Sequence, residues 1–168
     1  MKSVAQKTAF LGLCTALALV LAYVESLLPP LSAAIPGIKM GLPNIVIIFL
    51  LYRMGLKAAA PVSLVRVLAV ALLFGNMMGF AYSIAGATLS LLGMWLLKRL
   101  DFMSVVGVSV AGGVLHNLGQ ILMAMLLLRT AELGYYLIVL AVTGTVSGIL
   151  IGICGALMIK RIPFPKQY

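Results

Sequence analysis

The sequence predicts an all-α membrane protein of six transmembrane helices with both termini on the cytoplasmic side. Of 168 residues, 64% are hydrophobic and 9% charged, and the mean hydropathy of +1.22 excludes an ordinary water-soluble domain. Apolar runs of about 20 residues, the length that spans a hydrocarbon core of roughly 30 Å, take up most of the chain. The basic residues punctuate those runs. Residues 1–168 are expected to form one integral membrane domain.

Charges and turn residues divide the chain into helices at about 8–28, 42–53, 58–75, 78–97, 103–128 and 134–159. The first follows Lys2 and Lys7 but runs on to Pro29 with no small-x-small cleavage signal, so it reads as a retained helix. The second is short, because only 13 residues separate Lys39 from Arg53. It is preceded by SLLPPLSAAIPGIKMGLPN, 26–44, whose four prolines and two glycines forbid a continuous helix and read equally as a lid or a stiff connector. The 40 residues between Lys57 and Lys98 carry Arg66 alone as charge and fit two spans joined at GNMMG, 75–79. For orientation, Lys2, Lys7, Arg53, Lys57, Lys98, Arg99, Lys160, Arg161 and Lys166 fall at one side, against Lys39 and Arg129 at the other. Nine against two places the first set inside.

The net charge of +9 does not imply nucleic acid, since the cations form no patch with interleaved aromatics. Cys14 and Cys154 make neither a disulfide framework nor a metal site, and no cofactor is expected. No phosphate-cradling glycine loop is present. Small residues recur at helical spacing: Ala9, Gly12 and Ala16 on the first helix; Gly79, Ser83, Ala87 and Ser90 on the fourth; Gly144, Gly148, Gly152 and Ala156 on the sixth. Such stripes let helices approach closely in lipid, within the chain or against another subunit, with the first helix the prime candidate for docking.

Polar residues inside the spans are where function is sought. Arg66, in PVSLVRVLAV, lies near the midplane, and of the three carboxylates only Glu25 is placed to reach it. Two readings stand: an Arg66–Glu25 pair, or a guanidinium held ready for a ligand's carboxylate or phosphate. In GGVLHNLGQ, 112–120, Gly112, His116 and Gln120 stack at spacings of four with Asn117 beside them, a polar notch at the depth of Arg66. Lys39 and Asn44, at the outer mouth, close over a ligand or face water. Around His116 no second His, Cys or carboxylate stands at metal-ligand spacing. Tyr82, Tyr135 and Tyr136 read as interfacial anchors.

Taken together, Glu25 with SLLP, IPGIKMGLPNIV (35–46), SLVRVL (63–68), YSIAGATLS (82–90) and GGVLHNLGQ resemble the family catalogued as heptaprenyl diphosphate synthase component I, also called the Gx transporter family. That family is similar to the S components of energy-coupling-factor (ECF) transporters of bacterial cytoplasmic membranes. The resemblance implies a substrate-binding membrane subunit that takes up a small anionic or amphipathic compound, captured under the loop between helices 1 and 2. It also implies a transmembrane coupling subunit and two ATPases as partners, docked through Ala9, Gly12 and Ala16, with Ala18 and Ala22 as a second possible face.

The family's name suggests an enzyme, but a prenyl synthase needs paired Asp-rich motifs to hold magnesium on a diphosphate, and the chain has one Asp. The alternative expectation is therefore a non-catalytic accessory subunit beside a separate prenyl diphosphate synthase. A proton-coupled carrier relaying through His116 and Glu25 is the third reading, without the inverted repeat that many carriers show. For the substrate-binding subunit, the residues expected to bind are Arg66, His116, Asn117, Gln120, Asn44, Lys39 and Glu25.

Overall fold

The computed structural model describes residues 4–27, 41–74 and 77–162, and all its regular elements are helical. They are α1 (Val4–Leu27), α2 (Asn44–Met54), α3 (Leu56–Phe74), α4 (Met77–Leu100), α5 (Val105–Leu128), a 3-10 turn (Ala131–Tyr136) and α6 (Leu137–Arg161). Every expected helix is present, with boundaries shifted by a few residues. Five of the helical segments, those containing α1, α3, α4, α5 and α6, are long and apolar enough to cross a membrane. Their outward faces carry residues such as Leu72, 85% exposed, and Ile138, 74% exposed. Surfaces of that kind are stable against lipid and not against water, so this is a multi-pass membrane protein.

The second expected span differs from the rest. At 11 residues, α2 rises only about 16 Å, roughly half the hydrocarbon thickness. It is also the most enclosed element: Val46, Ile47, Ile48, Phe49, Leu50 and Leu51 are all buried, against Cys14 and Ala18 of α1, Ala59 and Val62 of α3 and Val108 of α5. A helix that is apolar all round belongs in the interior of a bundle. Its length is set by Gly41 at one end, at φ +82°, and by Gly55 at the other, at φ +80°, conformations that glycine adopts without steric cost.

The end of the bundle that holds Arg53 is fastened by cations on backbone carbonyls. Lys98 Nζ donates to the Leu51 carbonyl over 2.7 Å. Arg53 Nη2 donates to the carbonyls of Ile159 and Ile162. Carbonyls at the ends of α2 and α6, where helical partners are lacking, thereby gain donors, and positive charge sits at the negative ends of the helix dipoles. This also explains why α4 continues past Leu97: Lys98 reaches back to α2, and the Arg99 guanidinium lies 4.6 Å from the centre of the Trp95 ring. At the start of α5, Ser104 Oγ accepts the Gly107 N–H over 3.1 Å, an N-cap.

Glycines set the spacing of α4, α5 and α6. A Cβ at Gly113 would lie 2.3 Å from the Gly144 carbonyl oxygen, one at Gly148 would lie 2.6 Å from the Val110 Cα, and one at Gly152 would lie 2.8 Å from the Val106 Cα. The sixth-helix stripe therefore packs on α5. On the other side of α5, a Cβ at Gly119 would lie 2.7 Å from the Ala85 carbonyl oxygen of α4.

On α1, Ala9, Gly12 and Ala16 are exposed, and space is open around Gly12. The second docking face considered, Ala18 with Ala22, is buried in the bundle. It is unavailable to a partner, because the buried stripe of α1 is Cys14, Ala18, Ala22 and Glu25.

Candidate functional site

The half-length of α2 leaves a gap that the longer helices enclose. Arg66 lies ten residues up α3 from Leu56, about 15 Å at the helical rise, which is the depth at which α2 stops. There a cavity of about 30 Å³ is lined by Ala22 and Glu25 of α1, Gly41 before α2, Arg66, Val67 and Val70 of α3, Ser83 of α4, and His116 and Gln120 of α5. That volume holds one or two waters. The cavity is at the opposite end of the bundle from the cationic fastenings.

Each polar wall has a local reason for its position. Glu25 closes the buried stripe of α1, and its Oε1 accepts the Gly41 N–H over 2.5 Å. That bond ties the end of α1 to the entry of α2 across the loop. Arg66 is 7% exposed and in electrostatic contact with Glu25. His116 and Gln120, at i and i+4, seat against Gly86 of α4, where a Cβ would lie 2.8 Å from the His116 carbonyl oxygen and 2.9 Å from Gln120 Cγ. The His116 ring lies against Gly86 as well, with Cε1 3.1 Å from the same Cβ position.

What distinguishes the site is unused hydrogen-bonding capacity. Among the described residues, Arg66 Nε, His116 Nδ1 and Gln120 Oε1 are buried without a hydrogen-bond partner, as are Arg53 Nε and Ser90 Oγ elsewhere in the bundle. Buried polar groups are nearly always paired, and each orphan costs about 1–3 kcal/mol. Three of them converge on one cavity, and they comprise a cationic donor, an amide acceptor and a ring nitrogen. An acidic oxyanion, which accepts from the guanidinium and offers an O–H to the amide, satisfies such a set.

Of the residues expected to bind substrate, the structure brings together Glu25, Arg66, His116 and Gln120. Asn117 is not in the cavity: its Nδ2 donates to the Leu140 carbonyl over 2.8 Å and to Thr143 Oγ1 over 3.4 Å. One residue beyond His116 turns it about 100° around the helix, onto α6. Asn44 is buried but abuts Gly41, where a Cβ would meet its Nδ2 at 2.9 Å, so its contribution is to shape the entry of α2. Lys39 lies outside the described residues, as do the rest of 28–40 and residues 75–76 of the expected GNMMG junction.

The glycines of the notch do not leave room for a ligand. A Cβ at Gly112 would lie 2.6 Å from Met94 Sδ, and Gly113 meets α6 as described. Gly41 and Ser83 line the cavity without being among the expected substrate-binding residues, and Gly86 brings α4 close to α5 behind it. The AGA run at 85–87 was the available signal for the close approach.

Fold and site together define a multi-pass helical membrane protein with a small polar cavity buried within the bundle. The chain belongs to the heptaprenyl diphosphate synthase component I family, whose model matches residues 14–158. The match spans every cavity residue. No curated protein and no solved structure matches the chain.

Proposed function

We propose that the protein is a non-catalytic membrane subunit of polyprenyl diphosphate synthesis in a bacterial cytoplasmic membrane, and that the cavity at Arg66 receives the anionic group of the compound it handles. The family match over residues 14–158 carries the first part. The unsatisfied Arg66 Nε, His116 Nδ1 and Gln120 Oε1 support the second. A separate prenyl synthase supplies the chemistry, since the chain's one Asp cannot form paired Asp-rich motifs. The test is to reconstitute the protein in liposomes with the polyprenyl synthase of its own source. Chain elongation rises with the wild type, and the increase is lost in Arg66→Gln.

One observation favours a second reading. The cavity lies away from the end bearing Arg53, Lys57, Lys98, Arg99, Lys160 and Arg161, which the positive-inside rule makes cytoplasmic. A site in the outer half suits uptake by an S-component-like subunit, with a coupling subunit and two ATPases docking on Ala9, Gly12 and Ala16. In that case substrate accumulation in cells requires the ATPases, and chain elongation is unaffected by the protein.

A further inference from the structure

A second cavity, about 270 Å³, lies between α3 and α4 and is lined by Leu56, Ala60, Ser63, Leu64, Ile84, Ala87, Thr88, Leu91 and Leu92. Ser63 precedes Arg66 by three residues and Val67 by four, and Ser83 precedes Ala87 by four, so each wall runs on to the polar cavity within one helical turn. Both cavities thus lie along the seam between α3 and α4. Leu64 and Leu92 are 48% and 49% exposed, which opens the seam sideways towards lipid. The α3 side carries no glycine, and Gly86 and Gly93 of α4 face α5 instead. The close backbone contact that seals α4 to α5 and α5 to α6 is thus missing along this seam.

We infer that the seam holds the hydrocarbon tail of a single-chain amphiphile whose anionic head occupies the Arg66 cavity, with bilayer lipid as its route of entry. The inference rests on the reading of that cavity as an anion site and adds the substrate class. The polar cavity alone has room for water-sized groups, whereas the seam extends from Ser63 to Leu56, roughly 10 Å at the helical rise, with an almost wholly apolar lining. A buried guanidinium with an unpaired donor at the head of an apolar slot matches a molecule of that build. A neutral lipid leaves Arg66 Nε unsatisfied, and a small hydrophilic anion leaves the slot empty.

The test uses the full chain in phosphatidylcholine nanodiscs, with dodecyl phosphate bearing a diazirine at the chain end as photoprobe and calorimetry of inorganic phosphate run in parallel. Cross-links are expected in 56–64 and 84–92. They should be lost on adding excess inorganic phosphate, in Arg66→Gln/Glu25→Gln, and in Ala87→Leu or Ala60→Leu, which fill the slot from either wall. Labelling spread over lipid-facing residues such as Leu72, Leu126 and Ile138 overturns the inference. Seam labelling indifferent to Arg66 also overturns it and marks an ordinary bilayer lipid as the occupant. If phosphate binds through Arg66 while the seam stays unlabelled, the tail site fails and the anion site stands. Absence of phosphate binding removes both.

Discussion

Glu25 and Arg66 face one cavity, and the Glu25 carboxylate also accepts the Gly41 N–H. One carboxylate therefore holds the entry of α2 and offsets the only charge inside the long helices' central region. Arg66 has an acidic neighbour in Glu25 and an Nε without a hydrogen-bond partner. Glu25→Gln retains an acceptor for Gly41 while removing the charge that competes with an anionic ligand. Its expected effect is tighter anion binding, by about tenfold for roughly 1.4 kcal/mol of relieved repulsion, read by calorimetry. Weaker binding in this variant contradicts a ligand-accepting Arg66.

Arg66→Gln alone removes a positive charge beside the buried Glu25 carboxylate. It is expected to cost about 3 kcal/mol of stability as well as ligand binding, contrary to the expectation for an unpaired cation. Adding Glu25→Gln should restore most of the stability and none of the binding. Thermal unfolding in detergent, measured beside binding, separates the two effects.

Asn117→Ala is expected to leave ligand binding intact and to lower stability by about 1–2 kcal/mol, because the side chain bridges to the Leu140 carbonyl. His116→Ala should show the opposite balance. The paired comparison of melting temperature and affinity tests the assignment of these neighbours to different faces of α5.

Gly148→Leu places a side chain where the Val110 Cα lies 2.6 Å from an ideal Cβ. Separation of α5 from α6 and a loss of about 3 kcal/mol are expected, measured as lowered melting temperature or loss of the monodisperse peak on size exclusion. An equal insertion at Gly12, which has open space, should be tolerated by the isolated protein.

The helices were legible because lipid demands long apolar runs and leaves most charges at their ends. The core of the site was legible for the related reason that Arg66, His116 and Gln120 are conspicuous in such runs. What the sequence did not reveal depends on rotation and depth. Whether Asn117 joins His116 turns on one step of about 100°, which a periodicity argument does not fix without knowing what each face meets. Gly112 and Gly113 pack against Met94 and Gly144, neighbours that spacing along one helix does not name. The short α2 was visible between Lys39 and Arg53, but not its consequence: a helix that stops half-way leaves the gap in which the cavity forms.

The most direct test of the anion site is calorimetry of inorganic phosphate with the purified protein in nanodiscs, wild type beside Arg66→Gln/Glu25→Gln, after confirming that both are folded. Saturable binding to the wild type and none to the double variant is the predicted result. Identical isotherms for the two proteins, or no binding to either, would contradict it.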